Sequence, residues 1–152
     1  MEFLSWLHPR IVHFPIAFFI LYFILETTGT IIKKDAYTKT AIFVLVLGLL
    51  TALVAVLTGN QANESIKHLI GSGNSSINQL INQHEDYASM SLWYFTGLFF
   101  LKMYLIIKKR FTERYKYLLI LLGLIGCVLI ILAGYFGGAL VFEHGIGTKL
   151  LK

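Results

Sequence analysis

Four long apolar runs constrain the fold of this chain more than any other feature. They cover residues 11–32, 40–58, 87–107 and 117–142. A helix needs about 20 predominantly apolar residues to cross the hydrocarbon core of a bilayer, and each run is close to that length. Only 14% of the residues are charged, against about 25% in a typical soluble domain. The sequence therefore predicts an all-α fold, a single integral membrane four-helix bundle that covers residues 1–152.

The connection between the second and third runs, residues 59–86, is longer than the other two. Gly59-Asn60 is a pair that commonly ends a helix, so we expect the second span to stop there. The residues that follow are too polar to cross a membrane, and the glycine-rich stretch 71–74 predicts a turn. The Ser-Ile-Asn-Gln sequence from Ser76 matches a capping box, which predicts a helix that runs on into the third span. We therefore expect a partly helical loop between the second and third helices.

Basic residues are distributed unevenly between the two ends of the predicted bundle. The two short connections and the span ends beside them carry Lys33, Lys34, Lys39, Lys108, Lys109, Arg110, Arg114 and Lys116. The opposite end carries Arg10, Lys67, Lys149 and Lys152. Because Lys and Arg accumulate on the cytoplasmic side of membrane proteins, we expect both termini and the 59–86 loop to face the periplasm or its equivalent. The basic residues form no stripe interleaved with aromatic residues, so nucleic acid is not expected as a partner.

The five histidines all lie on this outer side under the predicted orientation. They are His8, His13, His68, His84 and His144. His13 opens the first span, His84 enters the third and His144 leaves the fourth, so three helices can direct an imidazole into one layer. Imidazole binds haem iron, zinc and copper, and helical bundles build cofactor sites from facing helices. We therefore interpret His13, His84 and His144 as candidate metal ligands. The alternative is that each hydrogen-bonds water at the membrane surface.

The other two histidines have different expected roles. His8 and His13 stand five residues apart, about 140° around a regular helix, so one helix face cannot present both. They serve different sites, or only one of them is a ligand. His68 lies in the polar loop, and we expect it to have no part in the site.

The fourth span carries a high density of glycines. Gly134, Gly137 and Gly138 precede His144 by two or three helical turns and leave a groove of small residues beneath its imidazole. A flat macrocycle or a quinone tail fits such a groove, so these glycines are candidate cofactor-binding residues. Small residues also allow membrane helices to pack closely without any ligand, and that alternative stays open.

A few carboxylates complete the set of candidate residues. Glu26 lies about 20 Å of helix rise from His13, toward the cytoplasmic end of the first span. We expect its carboxylate to snorkel to the nearby interface, with a proton path as the alternative. Glu85, Asp86 and Glu143 are candidates to accept a histidine ring N–H, with solvation as the alternative. The sequence contains no nucleophile elbow, phosphate loop or paired-cysteine zinc motif.

Two motifs and one further histidine resemble a known family. Residues 7–17 read LHPRIVHFPIA, and residues 137–147 read GGALVFEHGIG. They are similar to the opening and closing signatures of the bacterial membrane proteins catalogued as domain of unknown function 2231. His84, with Ala88 one turn later, resembles the middle histidine of that family. The resemblance covers nearly the whole chain and implies a bacterial cytoplasmic-membrane protein that binds haem at the motif histidines, beside Rieske or c-type cytochrome modules.

The residues and the resemblance together give one leading hypothesis. We expect a membrane b-type haem protein that relays electrons between quinol and a periplasmic redox partner or complex, as an electron-transfer subunit rather than an enzyme by itself. Ligation by two imidazoles leaves no open position on the iron, which suits electron transfer. One haem is expected, with a second haem and a bound quinone left open. The candidate cofactor-binding residues are His8, His13, His84, His144, Gly134, Gly137 and Gly138.

Two other functions fit the same sequence. The first is a cofactor-free structural subunit or anchor of a larger membrane complex, in which the histidines make only interfacial hydrogen bonds. The second is a protein that handles zinc or copper through the same imidazoles, although the chain has no cluster of soft sulfur ligands to accompany them.

Overall fold

Helices make up nearly all of the chain that the structure describes. The structure is a computed structural model, and it describes the backbone of residues 2–70 and 75–146 and the side chains of residues 7–64 and 75–146. The helices are α1 (Glu2–Ile11), α2 (His13–Ile31), α3 (Asp35–Ile70), α4 (Ser75–Ile107) and α5 (Glu113–Phe142). Within the described ranges no strand occurs, so the predicted all-α fold is confirmed.

Four stretches of the described helices are long and apolar enough to cross a membrane. They are Leu7–Ile31, Asp35–Glu64, Ser75–Ile107 and Glu113–Phe142. The first stretch joins the end of α1 to α2, which are separated only at Val12. Large apolar side chains on the outside of the bundle, among them Phe43, Leu57 and Phe100, are exposed. A lipid environment suits this surface, and the predicted membrane four-helix architecture is confirmed.

The four spans form a ring in which each one packs against two neighbours. α2 packs against α3 and α5, α4 packs against the same two helices, and α1 lies on α3. Consecutive spans run in opposite directions, as short connections require. The first and third connections begin in the same way, because Lys33 and Lys109 both adopt left-handed backbone angles, with φ of 53° and 54°. The N–H groups of Lys34 and Arg110 then donate to carbonyls five residues earlier, at 3.0 and 2.8 Å, and cap α2 and α4.

The prediction that the second span ends at Gly59-Asn60 is wrong. α3 continues through this pair for about three further turns. Gly59 serves a close approach between helices instead, since a Cβ atom placed there would lie 2.9 Å from Cε1 of His8. Residues 59–70 of the predicted loop are therefore a helical extension of α3, and residues 75–86 belong to α4. α4 begins at Ser75, next to the predicted start at Ser76, and the predicted turn at 71–74 lies outside the described residues.

Aromatic side chains fill the middle of the bundle. The rings of Phe19 and Phe95 stack with their centroids 3.9 Å apart, and the ring of Tyr22 meets Phe95 nearly at right angles at 6.3 Å. All three side chains are buried. Phe19 and Tyr22 belong to α2 and Phe95 to α4, so this aromatic layer spans the diagonal of the ring. It separates the end of the bundle that carries the histidines from the end that carries the basic connections.

Glu26 does not snorkel to the interface as expected. Its side chain is fully buried and forms an ion pair with Lys102 of α4, which is fully buried as well. A charged group at membrane depth is stabilised by an opposite charge at the same depth. Lys102 supplies that charge inside the bundle, so the carboxylate of Glu26 has no need to reach the interface.

Candidate functional site

A cavity of about 690 Å³ lies inside the bundle at the end that carries the histidines. All four spans contribute to its wall. Small residues create the space, with Ala52 and Ala55 on α3, Ala88 on α4 and Ala133 on α5, and Phe19 of the aromatic layer closes the inner end. Pockets of roughly 300–1,000 Å³ are usual for small molecules and cofactors. The cavity is therefore large enough to hold such a group.

His8 lies in the wall of this cavity, with its ring against Gly59 of α3. Its Nδ1 atom is 3.0 Å from the carbonyl oxygen of Ala55 and 3.2 Å from the hydroxyl of Thr58. A carbonyl oxygen only accepts hydrogen bonds, so Nδ1 of His8 carries a proton and donates it to Ala55. In the neutral ring, Nε2 then holds the lone pair that can bind a metal.

His84 is held in the same manner from the opposite side. Its Nδ1 atom donates to the carbonyl oxygen of Ala133 at 2.9 Å. Its ring lies against Gly137, where a Cβ atom would come within 2.9 Å of Cε1. As for His8, the backbone carbonyl fixes the tautomer, and Nε2 is left as the ligating atom. Metal-binding histidines almost always have their second nitrogen fixed by such a hydrogen bond.

The two anchored imidazoles face each other across the cavity. The ring centroids of His8 and His84 are 6.2 Å apart, and the ring planes are inclined by 70°. His8 comes from α1 and His84 from α4, so the pair joins helices that are far apart in the sequence. The cavity thus presents two histidines with matching anchors on backbone carbonyls.

His13 is the other predicted site residue on the first span. It lines the cavity, and its side chain is exposed. His13 is the first residue of α2, and Pro15 lies in the first turn, where a missing N–H removes no helical hydrogen bond. His8 and His13 both line the cavity, and the prediction that only one of them is a ligand, or that they serve different sites, stays a prediction.

The predicted glycines of α5 have two different surroundings. Gly134, Gly137 and Gly138 all line the cavity. The ring of His84 fills the space beside Gly137, whereas a Cβ atom at Gly134 or Gly138 would meet no atom within 4 Å. These two glycines therefore border open space.

One predicted histidine is not brought into the cavity wall. His144 is half-buried just beyond the end of α5 and does not line the cavity. The side chain of His68 lies outside the described residues. Within residues 7–64 and 75–146, no group of three or more His, Cys, Asp or Glu side chains is arranged to hold a metal ion. The set His13, His84 and His144 stays a prediction; of the three histidines that line the cavity, His8 and His84 are the two anchored to backbone carbonyls.

The carboxylates near the site do not orient these two imidazoles. Backbone carbonyls take the ring N–H groups of His8 and His84, and the carboxylate of Glu85 accepts from the side-chain amide of Asn63 at 3.1 Å. Two glycines in the sequence relate to this pairing, because Gly59 and Gly137 make room for the two rings. Glycine patterns are also produced by helix caps and plain packing, so the signal alone does not identify a histidine neighbour.

Comparison with known proteins matches the chain to a family of membrane proteins. The sequence profile of a family described as predicted membrane protein (DUF2231) covers residues 5–150 of this chain. No curated protein and no solved structure matches it.

Proposed function

We propose that this chain, which belongs to the DUF2231 family of predicted membrane proteins, is a b-type haem protein that holds the haem iron between His8 and His84. The observation that carries the proposal is the pair of imidazoles, each anchored through Nδ1 to a backbone carbonyl, on opposite walls of one cavity. A bound haem supplies one-electron redox chemistry. The residues of the chain position and enclose it.

The separation of the two rings supports this assignment. With a metal–nitrogen bond of about 2.0 Å, as for zinc and imidazole, and about 1.1 Å from each nitrogen to its ring centroid, two imidazoles on opposite sides of one metal ion would have their centroids about 6 Å apart. The centroids of His8 and His84 are 6.2 Å apart. The separation of the two rings is therefore the one that a shared iron would require.

The lining of the cavity also supports a flat apolar ligand. Alanines and glycines of α3 and α5 leave the space beside the rings, and the open space over Gly134 and Gly138 allows a ligand to lie directly on the backbone of α5. His13 lies at the exposed mouth, where it can hydrogen-bond a polar edge of a bound group.

Two axial imidazoles suit electron transfer rather than activation of dioxygen, because no coordination position stays open. We therefore propose that the protein relays electrons between membrane quinol and a redox partner outside the membrane. The charge distribution supports an orientation with the histidine end toward the periplasm of a bacterial cytoplasmic membrane, since the short connections at the other end carry most of the basic residues. An interface with a Rieske-type or cytochrome partner at the histidine end belongs to the same proposal.

The visible spectrum of the protein purified in mild detergent tests the proposal. We expect a Soret band and sharp reduced α-band, both lost or strongly altered in His8→Ala and in His84→Ala. His144→Ala is the matched control, because His144 does not line the cavity, and it should keep the spectrum. A colourless protein that carries stoichiometric zinc or copper would refute the haem proposal and favour a function in metal handling. A protein with neither would favour a structural role in a larger complex.

A further inference from the structure

A second polar site lies beyond the aromatic layer, toward the basic connections. Glu26 of α2 and Lys102 of α4 are both fully buried, and Nζ of Lys102 donates to Oε2 of Glu26. Nζ also donates to the backbone carbonyl of Thr38 on α3 at 3.1 Å. The pair thus crosses the diagonal of the ring and is tied to a third helix.

Several buried oxygen atoms beside this ion pair have no protein partner. They are Oε1 of Glu26, the hydroxyl of Tyr22 and Oγ1 of Thr30. These three residues are four apart along α2, so they lie on one face of the helix. An unsatisfied buried polar group is unfavourable, and in native proteins such groups usually hydrogen-bond to ordered water. The stripe from Tyr22 to Thr30 is therefore suited to hold internal water.

Charged residues connect this site to one end of the bundle only. Nζ of Lys102 lies 5.9 Å from the ring centroid of Phe111, and Nζ of Lys116 lies 5.7 Å from the same ring. Lys116 in turn pairs with the exposed carboxylates of Glu113 at 3.0 Å and Asp35 at 3.7 Å. In the other direction, the stacked rings of the aromatic layer stand between Tyr22 and the cavity. The charged groups nearest to the site therefore lie toward the basic end.

We propose that Glu26 and Lys102, with the hydroxyls of Tyr22 and Thr30, form a buried proton-binding site that exchanges protons with water at the basic end of the bundle. On uptake, an O–H bond forms at Oε1 of Glu26, the proton comes from a hydronium ion at that end, and the charge of the pair changes from zero to plus one. Lys102 keeps its own proton in this step. Neither Glu26 nor Lys102 lines the cavity, so the proposal does not require a group to be bound there.

Other titratable groups surround the pair on each neighbouring element. Tyr22 on α2 and Lys116 on α5 interact with Glu26, and Tyr94 on α4 and Cys127 on α5 interact with Tyr22. Asp35 on α3 and Glu113 on α5 are exposed and pair with Lys116, and Tyr94 donates its hydroxyl proton to the carbonyl of Leu122 at 2.8 Å. Oε1 of Glu26 is the buried carboxylate oxygen left to accept a proton.

Infrared difference spectroscopy on the full chain in lipid vesicles tests this inference. Spectra recorded between acid and neutral pH should contain two reversible carboxylic-acid carbonyl bands: one from the solvated carboxylates, and one at higher frequency from an acid in apolar surroundings, which shifts to lower frequency in D2O. Glu26→Gln should remove the high-frequency band. Glu64→Gln, at an exposed glutamate near the other end of α3, is the matched control; it should reduce only the band of the solvated acids and leave the high-frequency band unchanged.

A high-frequency band of equal size in wild type and Glu26→Gln would overturn the proposal. Glu26→Gln leaves Lys102 buried without its counter-charge, so this variant can fail to fold. In that case Tyr22→Phe decides the matter, because it keeps the ion pair and removes one neighbouring hydroxyl. A shifted band in Tyr22→Phe supports the site, and an unshifted band refutes it.

Discussion

Replacing Gly137 by alanine tests how the protein positions His84. A Cβ atom at Gly137 would lie 2.9 Å from Cε1 and 3.0 Å from Nδ1 of the His84 ring. Carbon atoms in ordinary contact are about 3.5–4.0 Å apart, so the ring must withdraw from α5 by roughly 0.6 Å. The ring is anchored to Ala133, which lies on α5 one turn earlier, at 2.9 Å. The withdrawal therefore stretches the hydrogen bond that fixes its tautomer.

The expected cost follows from that hydrogen bond. A typical intramolecular hydrogen bond contributes about 0.5–1.5 kcal/mol, and its loss at a ligand-positioning group weakens binding about 2- to 10-fold. Gly97→Ala is the matched control, because Gly97 lies inside α4 away from the cavity and a Cβ atom there meets nothing within 4 Å. Alanine in place of glycine within a helix is favourable by about 0.5–1 kcal/mol, so Gly97→Ala should be neutral or stabilising.

Haem titration of the purified apoprotein, followed at the Soret band, measures this effect. Thermal unfolding of the same samples reports whether the fold is retained. Gly137→Ala should bind haem about 2- to 10-fold more weakly than both wild type and Gly97→Ala. Equal affinity in the three proteins would show that the contact between His84 and Gly137 does not position a ligand, and the argument from the anchored imidazole would fail.

Three further results are expected. Gly138→Ala should leave the stability of the apoprotein unchanged or slightly raised, because the added Cβ atom meets no protein atom. It should lower the haem content, because that atom occupies space proposed for the ligand. Equal haem content in Gly138→Ala and wild type would place the ligand elsewhere. Lys102→Met should destabilise the protein by about 3–5 kcal/mol in detergent unfolding, because Glu26 is left buried without a partner, and adding Glu26→Leu should recover most of that loss. In intact cells, a membrane-impermeant thiol reagent should label Ser75→Cys and spare Thr112→Cys in a background lacking Cys127, and the reverse pattern would invert the proposed orientation.

The membrane architecture was predictable because bilayer thickness sets the length of a spanning helix. Each apolar run met that requirement independently, and no knowledge of packing was needed. The error at Gly59 has a different origin. A glycine near the end of an apolar run is typical of a helix cap, but it also permits close approach of another group, and only the tertiary contact with His8 distinguishes the two. The local sequence therefore predicts the correct helices but places the end of α3 too early.

The ion pair was predictable only in part. Lys102 stands within the third apolar run, where a charge is costly and needs a partner at similar depth. This signal points to an acidic residue, and Glu26 is the acidic residue inside another run. The sequence does not fix how each span is rotated about its axis, so it does not determine whether the two side chains meet or reach the interface separately.

The same limitation applies to the histidines. Their distribution along the chain predicted a shared layer at one end of the bundle, and the cavity lies there. Choosing His8 rather than His144 as the residue opposite His84 depends on helix rotation and on the break at Val12. Neither is visible in hydropathy.

The two proposed sites make a joint prediction about electrostatic coupling. Glu26 stands thirteen positions after His13, which lines the cavity, so the helix rise between them is about 20 Å. With an effective dielectric constant of about 20, one unit charge at that distance contributes about 0.8 kcal/mol, or roughly fourfold in an equilibrium constant. Glu26→Gln removes a negative charge, so in a redox titration it should favour haem reduction by about that factor. Glu64→Gln removes a charge at the solvent-exposed end of α3, and its effect should be smaller because solvent screens that charge. A change larger than tenfold would mean that Glu26 acts through a rearrangement of the aromatic layer and not through its charge alone.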